Sequence, residues 1–189
     1  MRTLIAGLFG GIAMFIWASI AHVATPLASI GLATMPNEAA TMTALHNNLG
    51  DRPGFYFFPA IPGAPGDAKA MRIQEDMLKS HPSGILAYNP PGTPGLTPRQ
   101  LIAEFVFEVA ESLLAAILLG AVAAGLVRRV ALAALIGAIA GMATNFSYWD
   151  WYGFSLDYTL ANAFTELMKF IFAGVAIAAV FGWRGRRAG

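Results

Sequence analysis

The sequence predicts an all-α membrane protein: a bundle of four transmembrane helices with an irregular extracytoplasmic cap of short helices and a small β-ribbon. Three observations carry this. Apolar residues make up 57% of the 189-residue chain and charged residues only 12%, where soluble domains are about a quarter charged. Four long stretches are nearly free of charge and contain no proline, whereas all eleven prolines fall between Pro26 and Pro98. The arginines that flank the four stretches gather on one side. The chain has no cysteine, which excludes disulfide frameworks, thiolate metal sites and thiol redox chemistry. A net charge of +1 gives no reason to expect nucleic-acid binding.

The first span runs from about Thr3 to Ala24, the length that a hydrocarbon core of about 20 helical residues requires. Arg2 and the small residues of Ala21-His22-Val23-Ala24 also fit a cleaved signal peptide. The long apolar run, with Gly7 and Gly11 at GxxxG spacing, favours a retained helix that packs on others. Residues 25–100 form the cap. Asn37 is placed to start a helix with Met42, Leu45 and Leu49 as its apolar stripe and Gly50 as its stop. Asp67 starts a second helix, with Ala68, Met71 and Leu78 on one side and Pro82 beyond its end. Phe55–Phe58 and Ile85–Tyr88 read as short strands bounded by Pro and Gly, able to pair across that helix.

The second span runs from about Leu101 to Val127, the third from Val130 to Tyr148 and the fourth from Tyr158 to Trp183. Ala116, Gly120 and Ala124, and likewise Ala133, Gly137 and Gly141, recur every four residues, a spacing that lets helix backbones approach closely in lipid. Arg2, Arg128, Arg129, Arg184, Arg186 and Arg187 mark one side as cytoplasmic by the positive-inside rule. No acidic residue lies on that side. Both termini are then inside, and the cap and the Trp149–Ser155 turn are outside. The lipid bilayer is the first partner; a membrane-protein partner or a second copy is the next.

The informative residues are polar groups within the spans, because an ionisable group in hydrocarbon needs a partner or a purpose. Glu104, Glu108 and Glu111 share one face of the second span. Asn162, Glu166 and Lys169 share one face of the fourth. At about 1.5 Å per residue, both ladders descend together from the outer side, and Glu111 comes level with Lys169 at roughly 15 Å depth. These two are expected within salt-bridge reach. One lysine among several carboxylates leaves a negative excess, so the site should hold a proton or a cation. Asn145 in the third span and His22 in the first complete the candidate polar network. Trp149, Asp150, Trp151, Tyr152 and Asp157 form a candidate outer lid or an aromatic belt at the interface. No Glu-x-x-His pattern of a di-iron bundle is present, and no phosphate loop or nucleophile elbow. No cofactor is expected; a metal held by the glutamates and His22 is the minor alternative.

Thr144-Asn145-Phe146-Ser147-Tyr148-Trp149-Asp150-Trp151-Tyr152-Gly153-Phe154, followed by Tyr158-Thr159-Leu160-Ala161, resembles a family of uncharacterised four-helix proteins of the bacterial inner membrane. Phe55-Tyr56-Phe57-Phe58-Pro59, Pro82–Tyr88 and the Glu104/Glu108/Glu111 helix extend the resemblance over most of the chain. It implies the same topology and inner-membrane location and brings no activity. The sequence favours a non-enzymatic accessory, scaffolding or ligand-binding subunit with an outward-facing polar cleft. A small proton- or cation-linked transporter using the glutamates and Lys169 is the alternative, and a membrane-embedded metal-dependent enzyme the second.

Overall fold

A computed structural model describes residues 1–60, 63 and 66–182. Trp183, Arg184, Arg186 and Arg187 lie outside the described residues. The chain divides into two compact units. One joins Met1–Leu32 to the segment from Leu96 onward, and the other is Ala33–Gly95.

The protein is a mostly helical membrane protein. Three helices are long and apolar enough to cross a bilayer: α1 (Arg2–Val23), α5 (Leu126–Tyr152) and α6 (Leu156–Gly182). Between α1 and α5 in the same unit lies α4 (Pro98–Ala121). It has the length of a span, but Glu104, Glu108 and Glu111 set its composition apart. A capping box starts α4. The Thr97 hydroxyl accepts from the Gln100 amide, and the Gln100 side chain accepts from the Thr97 amide. Pro98 follows at the first helical position, where no amide hydrogen is needed.

Helix pairs are joined where Cβ atoms are missing. Gly7, Gly10 and Gly11 of α1 lie against Leu113, Ser112 and Val109 of α4. Gly137 and Gly141 of α5 lie against Phe170 and Ala163 of α6, and Gly174 of α6 against Ala133 of α5. Glycine at such contacts lets backbones approach and gain dispersion energy, the main attraction between helices in lipid. A third interface joins α1 to α6. Met14 and Ile177 are fully buried, the Trp17 indole donates to the Thr165 carbonyl at 3.1 Å, and its ring lies against Phe172. By contrast, α4 touches α5 and α6 only slightly. The α4–α5 contact includes the end where residues 122–125 link the two helices.

Two expected boundaries move. The break between the second and third spans falls at Val122–Gly125, not at Arg128-Arg129, which sit in the first turn of α5. Arg129 reaches back to donate to the carbonyls of Leu119 and Val122, both at 3.1 Å. It thereby satisfies acceptors that the end of α4 leaves open. At the other end, Trp149–Tyr152, expected as a turn, continue α5 as helix. Gly153, at φ +71°, provides the left-handed stop. The Ser155 hydroxyl then accepts from the Tyr158 amide at the start of α6 and donates to the Gly31 carbonyl at 2.9 Å.

Gly31 stands at φ +77°, and a Cβ there would press on Ser155 Oγ and the Tyr158 backbone. Gly31→Ala is therefore expected to cost about 1–3 kcal/mol. Reversible unfolding in mixed micelles measures it, and an unchanged midpoint would remove Gly31 from the account of that contact.

The second unit contains α2 (Glu38–Leu49), β1 (Gly54–Phe58), α3 (Ala68–Ser80) and β2 (Gly84–Tyr88). The strands pair antiparallel, Gly54 opposite Tyr88 and Phe58 opposite Gly84. The Asp67 carboxylate caps α3 by accepting from the Lys69 amide. Tyr88 is buried and donates from its hydroxyl to the Gly50 carbonyl. The expected packing faces differ here. No residue of α2 is buried, and in α3 the buried residue is Ala70, with Met71 and Leu78 exposed. A 12-residue helix can form on local propensity and Glu38 at its positive end, without its apolar stripe being covered.

Candidate functional site

Lys169 of α6 sits among three carboxylates. Its Nζ lies 2.8 Å from Glu108 Oε1, 3.3 Å from Glu166 Oε1 and 3.7 Å from Glu111 Oε2. Two come from α4 and one from α6, so the cluster bridges the two helices where their backbone contact is slight. The expected partner, Glu111, is the most distant of the three. The reason is azimuth rather than depth. Glu108 lies in the buried stripe of α4 with Ser112, Ala115, Ala116 and Leu119. At 100° per residue, Glu111 is rotated about 60° out of that stripe. It turns away from Val109, the side on which α1 packs.

Burial follows the same rotation. The side chains of Glu108 and Lys169 are 1% and 8% exposed, whereas Glu166 and Glu111 are 31% and 45% exposed. The cluster therefore has a closed side at Glu108 and Lys169 and an open side at Glu111 and Glu166. Lys169 donates a hydrogen bond to Glu166. Oε1 of Glu108 meets the ammonium, whereas its Oε2 and the hydroxyl of Ser112 are buried without a hydrogen-bond partner, and Oε2 of Glu111 is buried with only the ammonium at 3.7 Å. With all four groups ionised, the cluster carries two negative charges in excess. Each unpartnered buried carboxylate oxygen costs several kcal/mol in a low-dielectric setting. What would relieve it chemically is a proton on a carboxylate or a cation beside one.

The remaining candidates lie elsewhere. Glu104 is exposed and makes no ion pair among the described residues. His22 Nδ1, the Asn145 amide and the Asn162 amide each bond a carbonyl one turn back in their own helix, those of Ala18, Gly141 and Tyr158. These bonds satisfy the polar groups locally, so the three residues do not join the cluster. Trp149, Asp150, Trp151 and Tyr152 form the last turn of α5, and Asp157 the first turn of α6. Lys169 is eleven residues beyond Tyr158, about 16 Å along the helix. Among the described residues no hydrogen bond or ion pair joins the aromatic turn to the carboxylates. Phe154 instead packs against both Tyr148 and Tyr158, at centroid distances of 5.4 and 5.5 Å.

Two residues of the site were not legible as such. Ser112, one turn from Glu108, carries the only hydroxyl in its stretch of α4 and continues the buried stripe. Trp17 looks like one more apolar residue of α1, yet its indole holds the Thr165 carbonyl one turn from Lys169. Among the described residues no group of three His, Cys, Asp or Glu side chains is arranged to hold a metal. No protein-family model, curated protein or solved structure matches the chain, so the chemistry of the Lys169 cluster carries the functional reading.

Proposed function

We propose that this chain is a four-helix integral protein of the bacterial inner membrane whose Lys169 cluster takes up a proton or a monovalent cation in the course of transport. In this reading α4 spans with the other three helices, the termini are cytoplasmic, and residues 25–100 lie outside. The carrying observation is Glu108, a buried carboxylate beside one ammonium already shared with two other acids, with an oxygen that has no hydrogen-bond partner. A proton or a monovalent cation taken up there would meet the oxygen that the ammonium leaves unpartnered. The half-exposed Glu111 and Glu166 provide a route to it from the open side.

Proteoliposomes containing a pH-sensitive dye and an imposed ion gradient test the reading. Wild type should move protons or cations, Glu108→Gln should lose most of that flux, and Glu104→Gln should keep it. Equal flux in wild type, Glu108→Gln and Glu111→Gln would overturn the assignment.

A second reading has its own support. A carboxylate 45% exposed on a membrane-depth helix is costly against lipid, and an accessory subunit would cover it with a partner helix. Gentle extraction followed by native mass spectrometry would then show a stoichiometric partner.

A further inference from the structure

Glycine contacts join α1 to α4 and α5 to α6, α1 packs on α6 as extensively as on α4, and the charges are divided between the two glycine-joined pairs. In one pair, α1 and α4 meet through three glycines of α1, with Gly11 so close that a Cβ there would stand 2.6 Å from the Val109 Cα. In the other, α5 and α6 meet through Gly137, Gly141 and Gly174, with ordinary Cβ space absent at each. Contacts of this kind have one packing arrangement, because any relative shift drives backbone into backbone. Glu108 and Glu111 belong to the first pair, Glu166 and Lys169 to the second. Between the pairs lie the α1–α6 interface, where Trp17 donates to the Thr165 carbonyl and Arg2 to the carbonyls of Val180 and Phe181, and the short link at residues 122–125, held by Arg129. Beyond these, α4 has slight backbone contact with α5 and α6, its Ala115, Ala116 and Leu119 share one buried core with Phe170, Ala173 and Ile177 of α6, and the ion cluster is the polar tie between α4 and α6.

We propose that the Lys169 cluster is a charge-operated latch between two rigid helix pairs, so that neutralising the α4 carboxylates lets the α1–α4 pair swing away from α5–α6 about the α1–α6 interface. The inference rests on the reading of the cluster as a proton or cation site and states how occupancy is read out by the fold. With Glu108 and Glu111 ionised, Lys169 holds α4. With both neutral, Lys169 keeps Glu166 on its own helix and its hold on α4 is lost. The groups that bear on this change are few. From α4 they are Glu104, Glu108 and Glu111, and from α6 Glu166 and Lys169. Of the neighbouring helices, α1 carries no ionisable residue between Arg2 and His22, and α5 carries no charge between Arg129 and Asp150. The swing is hinged at the Arg129 end, so the opening is greatest at the end that carries Thr97 and Ser155.

The absence of cysteine makes the test free of background labels. Spin labels at Ala103→Cys on α4 and Met142→Cys on α5, both exposed, report the gap in the full chain reconstituted in lipid. Labels at Ile20→Cys and Ile102→Cys report the α1–α4 pair. On acidification, or in the Glu108→Gln/Glu111→Gln background, the α4–α5 distance should lengthen by about 5 Å, the scale of a one-turn shift. The α1–α4 distance should hold. An α4–α5 distribution that stays fixed in acid overturns the latch even if the double variant fails to fold, because the acidification uses the unaltered cluster. Flux lost in Glu108→Gln with no change in distance would leave the uptake site standing and remove the latch. A distance change without flux would do the reverse.

Discussion

Replacing Lys169 with Met is expected to destabilise the helical unit by about 3–5 kcal/mol, the usual result of removing one partner from a buried ion pair. The volume is nearly kept, so the loss is electrostatic. Three carboxylates then face one another without a counter-charge, and Glu108, 1% exposed, has no other cation within reach among the described residues. A companion variant separates pair loss from packing. Lys169→Met with Glu108→Gln removes the buried negative charge together with its partner, and it should recover a large part of the loss, as paired replacements of buried charges do. Glu104→Gln, on an exposed carboxylate outside the cluster, should stay within about 0.5 kcal/mol of wild type. Reversible unfolding in mixed micelles gives all three differences from wild type. A Lys169→Met protein as stable as wild type would mean that the ammonium and the carboxylates do not meet in the folded chain, and the latch and the uptake site would fall together.

The helices were legible because their signals are local. Continuous apolar runs, prolines confined to one segment, Gly153 after an aromatic stretch and Asp67 before an amphipathic one act over a few residues, and each marks an element boundary to within a turn or so. The break at Val122–Gly125 was less legible because Arg129 decides it by reaching back across the link, a tertiary effect that reads in sequence as a pair of basic residues between two spans. The cluster was half legible for a similar reason. Spacing along one helix puts Glu104, Glu108 and Glu111 on a common face. It does not say which of them the neighbouring helix covers. That depends on how α1 sits on α4, which its glycines fix at Val109 and Leu113. Hence Glu108, rather than Glu111, is the buried partner. Asn145, Asn162 and His22 show what spacing leaves open, because a polar residue in a span can bond the carbonyl four residues back in its own helix, as each of these does.

Gly137→Leu is expected to have the second large effect, and it acts on the same centre from the far side. A Cβ at Gly137 would stand 2.8 Å from the Phe170 Cβ, 3.1 Å from the Glu166 carbonyl oxygen and 3.1 Å from the Leu167 Cα. Two of these are backbone atoms of α6, which cannot step aside as a side-chain tip can. Gly137→Ala should therefore cost about 1–3 kcal/mol, the range for overpacking a filled interface. Gly137→Leu should cost more, because its branched end has no space except by parting α5 from α6. On the same helix Ile139 is 68% exposed, and Ile139→Ala should stay within about 0.5 kcal/mol. The consequence for the site is specific. Glu166 supplies the carbonyl that Gly137 approaches, and Lys169 lies one turn further along. A displaced α6 carries the ammonium away from Glu108 while every charged residue remains in the sequence. Ion flux should therefore fall in Gly137→Ala in proportion to its packing defect and be lost in Gly137→Leu. Full flux in a Gly137→Leu protein would show that transport does not depend on the placement of Lys169, whereas loss of flux with the α4–α5 label distance already lengthened at neutral pH would show that the position of α6 holds the latch closed.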